Sequence, residues 1–283
     1  MTQPPSPPPV EKQEPDAPLG AVGDFLRVMR FYARLPMPRL GMDPAPFAMP
    51  DFARAVWAVP IAGAMIGTCG AAAGLLAYLL GVSAFIAATL TIATLVAVTG
   101  AFHEDGLADS CDGLWGGATR EHRLEIMKDS RVGTYGAAAL MLALALRIFA
   151  LAELFRLVGP MALPLVIGIG ALSRPLALIP VLVLPPAAGT GLAASVPMPG
   201  ARGLMVALAI GLVMLLPAAY AIDLVPGLFA TLLALVPILW IAIRLARDKI
   251  GGHTGDILGA CQQVSEIVLL IGLSTAANWH GPV

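Results

Sequence analysis

Long uninterrupted runs of apolar residues constrain this chain more than any other feature of its sequence. An α-helix rises 1.5 Å per residue, so about 20 apolar residues are needed to cross a hydrocarbon core of roughly 30 Å. About seven stretches reach that length, at 55–80, 82–102, 134–158, 160–184, 201–222, 225–246 and 257–278. The composition agrees, with 58% hydrophobic and 12% charged residues, against roughly 45–50% and about 25% in soluble domains. A soluble domain of this size cannot bury that much apolar surface. The expected class is therefore all-α, a polytopic integral membrane protein whose first partner is the lipid bilayer. A formal net charge of −1 gives no attraction to nucleic acid, and no nucleic-acid partner is expected. Cys69, Cys111 and Cys261 lie far apart and form no zinc-binding spacing.

Residues 1–23 are rich in Pro and carry no basic, apolar leader pattern, which reads as a disordered cytoplasmic tail ahead of a single membrane-embedded domain at 24–283. From Asp24 to Pro38, Arg27, Arg30 and Arg34 recur three or four residues apart among Leu26, Val28, Met29 and Phe31. That spacing predicts a short amphipathic helix at the membrane interface. With seven spans and the N-terminus inside, the inner loops hold Lys12, Arg27, Arg30, Arg34, Arg39, Arg54, Arg120, Arg123, Lys128, Arg131, Arg202, Arg244, Arg247 and Lys249. The other three of the 17 basic residues, Arg147, Arg156 and Arg174, fall within spans. Basic residues concentrate on the cytoplasmic side, so both polar islands, 103–131 and 247–256, are expected there.

The first island, HEDGLADSCDGLWGG, places Glu104, Asp105, Asp109 and Asp112 directly after an apolar span. If the second span continues as a helix, Asp105, Asp109 and Asp112 sit at i, i+4 and i+7 and share one face. Like charges stacked in this way repel unless a cation lies among them. Oxygen ligands without sulfur or imidazole suit Mg²⁺, which binds through one or two carboxylates together with substrate phosphates. Asp105, Asp109 and Asp112 are thus the candidate metal ligands. Downstream, Arg120, Arg123, Lys128 and Arg131 surround Asp129, as a metal-bridged diphosphate requires of its neighbours. The second island, RDKIGGHTGDILGA, sets Lys249, Gly252, Thr254 and Asp256 at the start of the last span, where glycine-turn amides attract anions. Arg174 and Glu266 lie within spans, where charge is costly and usually faces a cavity or a partner. Arg147 reads either the same way or as snorkelling outward with Arg156.

The runs FHEDGLADSCDGLWGG and RLEIMKDSRVGTYG, the upstream RLPMP, the SRP around Arg174 and the later GGHTGDILGA closely resemble the cobalamin-5′-phosphate synthase family, also called adenosylcobinamide-GDP ribazoletransferase. The resemblance extends over about 25–278. It implies Mg²⁺-dependent transfer, in the bacterial inner membrane, of the phosphocobinamide group of adenosylcobinamide-GDP to α-ribazole or its 5′-phosphate, with release of GMP. Contact with other cobalamin-pathway enzymes is an open expectation, and the oligomeric state is not read from sequence. The assigned roles are catalysis for Asp129, Asp256 and Glu104, and substrate binding for Arg131, Arg174, Lys249, Thr254, Gly113 and Gly252. Asp129 and Asp256 are equal candidates for the base that activates the acceptor hydroxyl. Two rival readings are a CDP-alcohol phosphotransferase, which shares the acidic helix, and a membrane transporter.

Overall fold

The structure, a computed structural model, describes residues 20–38, 47–188 and 196–280. The greater part of the tail expected at 1–23 therefore lies outside the described residues. Those described fold as α1 (Gly20–Tyr32), the single turn α2 (Phe52–Ala55), α3 (Ala58–Leu79), α4 (Ala84–Thr99), α5 (Phe102–Gly116) and α6 (Arg120–Ile126). There follow α7 (Thr134–Val158), α8 (Ala162–Leu176), α9 (Ala201–Tyr220), α10 (Val225–Ile250) and α11 (Gly255–His280), and no strand occurs among the described residues. Helix is the only backbone form short of a closed barrel that satisfies its own amides in lipid.

Five helical runs are long and apolar enough to cross a bilayer, or six if α4 and α5 together make one span. Two places bear on the expected stretches. The stretches at 134–158 and 160–184 belong to one helical run, Thr134–Leu182, broken by a 3₁₀ turn at Gly159–Met161, and since Arg147 and Arg174 line one cavity with Glu266 the run folds back at that turn. The second expected span stops at Thr99, and α5 leaves α4 at 86°. Gly100 and Ala101 make this break, both in the left-handed region with φ of 65° and 57°, where a residue bearing a Cβ is strained. The acidic stripe is therefore carried by a separate helix and not by the end of a span.

The expected interfacial helix forms as α1, but it begins at Gly20 and ends at Tyr32. Val28 and Met29 are completely buried, so one face of α1 is packed into the bundle against α3. Arg54 Nε donates to Asp24 Oδ2 at 3.0 Å and fastens this helix in place. Elsewhere small residues let helices touch closely, as membrane bundles favour. A Cβ on Gly63 of α3 would lie 2.1 Å from the carbonyl oxygen of Gly170 on α8. A Cβ on Gly106 of α5 would lie 3.0 Å from the carbonyl oxygen of Asp256 on α11, and this crossing brings the two polar islands together.

Candidate functional site

At that crossing the bundle opens into a cleft of about 310 Å³. One side is aromatic and comes from three separate parts of the chain: Phe31 and Tyr32 of α1, Phe52 of α2 and Phe102 of α5. Phe31 packs edge-on against Phe52 and Phe102, with centroids 5.3 and 5.0 Å away. Tyr32 stacks on the His103 ring at 5.7 Å. The opposite side is polar, with Asp105 from α5, Lys128 from the loop after α6, and His253, Thr254 and Asp256 at the start of α11. A largely apolar cavity with a few convergent polar groups is the usual form of a small-molecule site.

The three carboxylates of the acidic stripe have different surroundings. Asp105 is exposed and faces the cleft, Asp109 is half-buried, and Asp112 is buried. Asp112 accepts from Gly133 N at 2.7 Å and from Gly136 N at 2.9 Å, one amide to each oxygen. It thereby supplies an anion to the otherwise unpaired amides that begin α7. A Cβ at Gly136 would fall 2.3 Å from this carboxylate, so the contact requires glycine. Asp109 lies within range of the charges of Asp105, Asp256 and Asp112. Among the described residues, none of Asp105, Asp109 and Asp256 takes part in an ion pair. Nor does any group of three His, Cys, Asp or Glu side chains there enclose a metal ion by itself.

The basic residues expected at the site divide in the same way. Arg131 is 87% exposed and forms a two-pronged pair with Asp129, at 3.0 Å from Nε to Oδ1 and 2.6 Å from Nη2 to Oδ2. That guanidinium holds the Asp129 carboxyl well below its ordinary value, at about 2. The pair sits next to the cleft, and the neighbouring Lys128 is the residue that lines it. Lys249 donates to the Leu114 carbonyl at 2.7 Å and lies 4.8 Å from the centre of the Trp115 ring. Arg120 donates to Ile250 O at 2.8 Å and to Ala187 O at 2.6 Å. Lys249 thereby joins the end of α5, and Arg120 the start of α6, to the carbonyl end of α10, where cations are favoured. Gly113 is packed under Met127 and Arg123. Gly252 lies against Pro185 and Ala187, and His253 pairs with that strand-like segment through His253 N to Pro185 O at 2.9 Å and Ala187 N to His253 O at 2.8 Å.

Of the residues of the second island assigned to the site from the sequence, Thr254 and Asp256 line the cleft. The Thr254 hydroxyl donates to Asp256 Oδ2 at 3.2 Å and accepts from Ile257 N at 3.3 Å. The same side chain therefore starts α11 and orients the carboxylate. His253 is buried, its Nδ1 has no hydrogen-bond partner, and burial lowers its pKa from the ordinary 6.5, favouring the neutral ring.

Glu104, adjacent to Asp105 in sequence, projects from another face of α5 into the bundle interior. It accepts from Arg147 at 2.6 Å, and Arg147 also pairs with Glu266 at 2.7 Å. Arg147 is 1% exposed, so of the two readings it follows the interior one, while Arg156 is exposed and pairs with Glu153. Gln262 and Gln263 complete the cluster by donating to Glu266 at 2.7 Å and to Glu104 at 3.2 Å. Arg174 borders the same cluster, donating to Gly170 O at 2.8 Å. The structure thus brings Asp105, Thr254 and Asp256 to the cleft with Asp109 behind them, and places Glu104 and Arg174 in the interior. Lys128 was read from the sequence only as one of four cations around Asp129, and His253 and the aromatic side were assigned no site role. Their signal is distributed over segments that only the fold makes neighbours.

Comparison with known proteins gives one consistent result. The profile of the family described as Cobalamin-5-phosphate synthase matches residues 24–274. The chain is 41% identical to the adenosylcobinamide-GDP ribazoletransferase of Azorhizobium caulinodans, covering 92% of this chain and 98% of that one. It is 45% identical to the protein of the same name from Xanthobacter autotrophicus, over 88% of this chain and 95% of the relative. No solved structure matches.

Proposed function

This chain belongs to the cobalamin-5-phosphate synthase family, and on that premise we propose that it transfers the adenosylcobinamide-phosphate group of adenosylcobinamide-GDP to α-ribazole or α-ribazole 5′-phosphate. The observation that carries the reading is the cleft where the carboxylates of α5 and α11 face an aromatic side. In the reaction the ribose hydroxyl of the acceptor attacks the corrinoid-side phosphorus. The bond from that phosphorus to the GMP oxygen breaks, and the hydroxyl loses its proton.

The chain's residues supply several parts of this reaction. Asp256, oriented by Thr254, is the base in reach of the cleft. Asp129 is disfavoured because its ion pair with Arg131 makes it a weak proton acceptor. Lys128 offers a cation to phosphate oxygens at the cleft, and the aromatic side suits a flat, weakly polar ring system. Asp105 and Asp109 form an anionic locus without an ion-pair partner among the described residues, a donor set that fits Mg²⁺ held jointly by protein and substrate. They are the residues that would hold the ion, with Asp112 as the anchor behind them. When bound, the ion would neutralise diphosphate oxygens and the developing charge on GMP.

The setting is the bacterial inner membrane with the cleft toward the cytoplasm, a reading supported by the concentration of basic residues around it. A donor competition tests the assignment. Purified protein in vesicles receives GDP-activated and CDP-activated adenosylcobinamide, with α-ribazole, with Mg²⁺ or a chelator. The GDP donor should be consumed in preference and chelation should stop turnover. Equal use of the CDP donor, or turnover unaffected by chelator, would overturn the corresponding part of the proposal.

A further inference from the structure

A second cavity, of about 340 Å³, lies on the outside of the bundle between α10 and the segment that ends α8. Leu235, Leu239 and Ile243 form one wall, and Leu176, Ile179 and Val183 the other. Val236 and Trp240 at its border are 65% and 57% exposed, which on a membrane span means facing lipid. At the end of α10 that also clamps α5, the groove changes character, and Arg244 and Arg247 become its lining. Positions 236, 240, 243, 244 and 247 recur at three- and four-residue steps, so the apolar groove and its cationic head lie on one face of α10.

Neither guanidinium is neutralised. The Arg244 guanidinium lies 5.2 Å from the centre of the Trp240 ring, and Arg247 Nη2 donates to the Val183 carbonyl at 3.2 Å. Among the described residues neither makes an ion pair, although Asp248 is next in sequence. A guanidinium has five N–H donors, so most remain for a ligand. An apolar channel open to acyl chains, closed at the membrane border by two cations and a Trp, is complementary to one class of molecule.

We propose that this groove binds an anionic phospholipid, with an acyl chain between α10 and the end of α8 and the phosphate on Arg244 and Arg247. The chemistry is separate from the cleft, and the proposal stands whichever donor the cleft uses.

The full chain is reconstituted in vesicles of equal parts phosphatidylcholine and phosphatidylglycerol, extracted in mild detergent, and its retained lipid quantified by mass spectrometry. Phosphatidylglycerol should be enriched about tenfold over phosphatidylcholine, and Arg244→Gln with Arg247→Gln should return the ratio to that of the vesicle. Arg202→Gln, which changes an exposed basic residue elsewhere, should leave the enrichment intact. Thermal unfolding in phosphatidylcholine alone separates lost binding from lost fold, and Arg244→Gln alone provides a milder variant that should lower the enrichment in part. Wild-type protein retaining lipid in the vesicle ratio would overturn the proposal, as would enrichment unchanged in the double variant. A dimer that persists in phosphatidylcholine and retains no lipid would overturn it in favour of a second copy in the groove.

Discussion

Asp109 and Asp112 stand three residues apart on α5, yet their partners separate them. Asp112 uses both oxygens on amides at the start of α7, and the amide nitrogen of an Asn there can only donate. Asp112→Asn should therefore lower the thermal unfolding midpoint, with a loss of about 1.5–3 kcal/mol for hydrogen bonds to a charged group. Asp109→Asn should leave the midpoint unchanged and cut turnover by orders of magnitude, because it removes charge from the anionic locus of the cleft. Near-normal turnover in that variant, with an unchanged Mg²⁺ requirement, would remove the locus from the mechanism. His253 supplies a pH-dependent counterpart. Its folded pKa is lowered by burial from 6.5, so the unfolded chain takes up the proton first as pH falls. The stabilisation is present above pH 6.5 and is lost as pH drops from that value to the lowered folded one, below which both states hold the proton. His253→Gln should flatten this part of the wild-type stability profile, as measured by thermal unfolding in detergent from pH 7 down to about pH 5. The density of carboxylates at 104–112 is plain in the sequence. Which of them turns inward is not, because Glu104 and Asp105 are neighbours whose directions depend on how α5 is seated.

Seating that helix depends on contacts between elements. The bend at Gly100 and Ala101 was not legible, since glycine is common in spans that continue straight, and Ala101 gives no sign of its left-handed backbone. The interior position of Arg147 was not decidable either, because the long arginine side chain on a span can equally snorkel outward. Its partners are Glu104 on α5 and Glu266 on α11, so the cluster joins three helices. Arg147→Met would leave two buried carboxylates without their ion-pair partner, a loss of about 3–5 kcal/mol, and should sharply reduce the amount of folded protein. Adding Glu104→Gln and Glu266→Gln should restore much of it, as measured by the monodisperse fraction in size-exclusion chromatography. No recovery would mean that the cluster acts through more than charge balance. The contact of α3 with α8 gives a simpler case. Gly63→Ala places a methyl against the Gly170 carbonyl at 2.1 Å, and since backbone lies on both sides it should destabilise by about 1–3 kcal/mol.

At the scale of the whole molecule, the apolar runs made the all-helical membrane fold legible, because run length alone answers to bilayer thickness. The number of crossings was less so, since hydropathy does not register the 86° bend after α4. The two polar islands meet at one end of the bundle through Lys249, Arg120 and the crossing of α5 with α11. If that end faces the cytoplasm, a cysteine at Ala118 should resist an impermeant maleimide in intact cells and react in inverted vesicles. A cysteine at Val82, beyond the far end of α3, should do the opposite, with Cys69, Cys111 and Cys261 replaced beforehand. Turnover in sealed vesicles tests the central claim most directly. Adenosylcobinamide-GDP, α-ribazole and Mg²⁺ are added outside, and the corrinoid product and GMP are counted. Inverted vesicles should form both in equal amounts, and right-side-out vesicles should form them only after permeabilisation. Absence of product in both, permeabilised and with Mg²⁺, would contradict the transferase assignment, and product from sealed right-side-out vesicles would contradict the placement of the cleft.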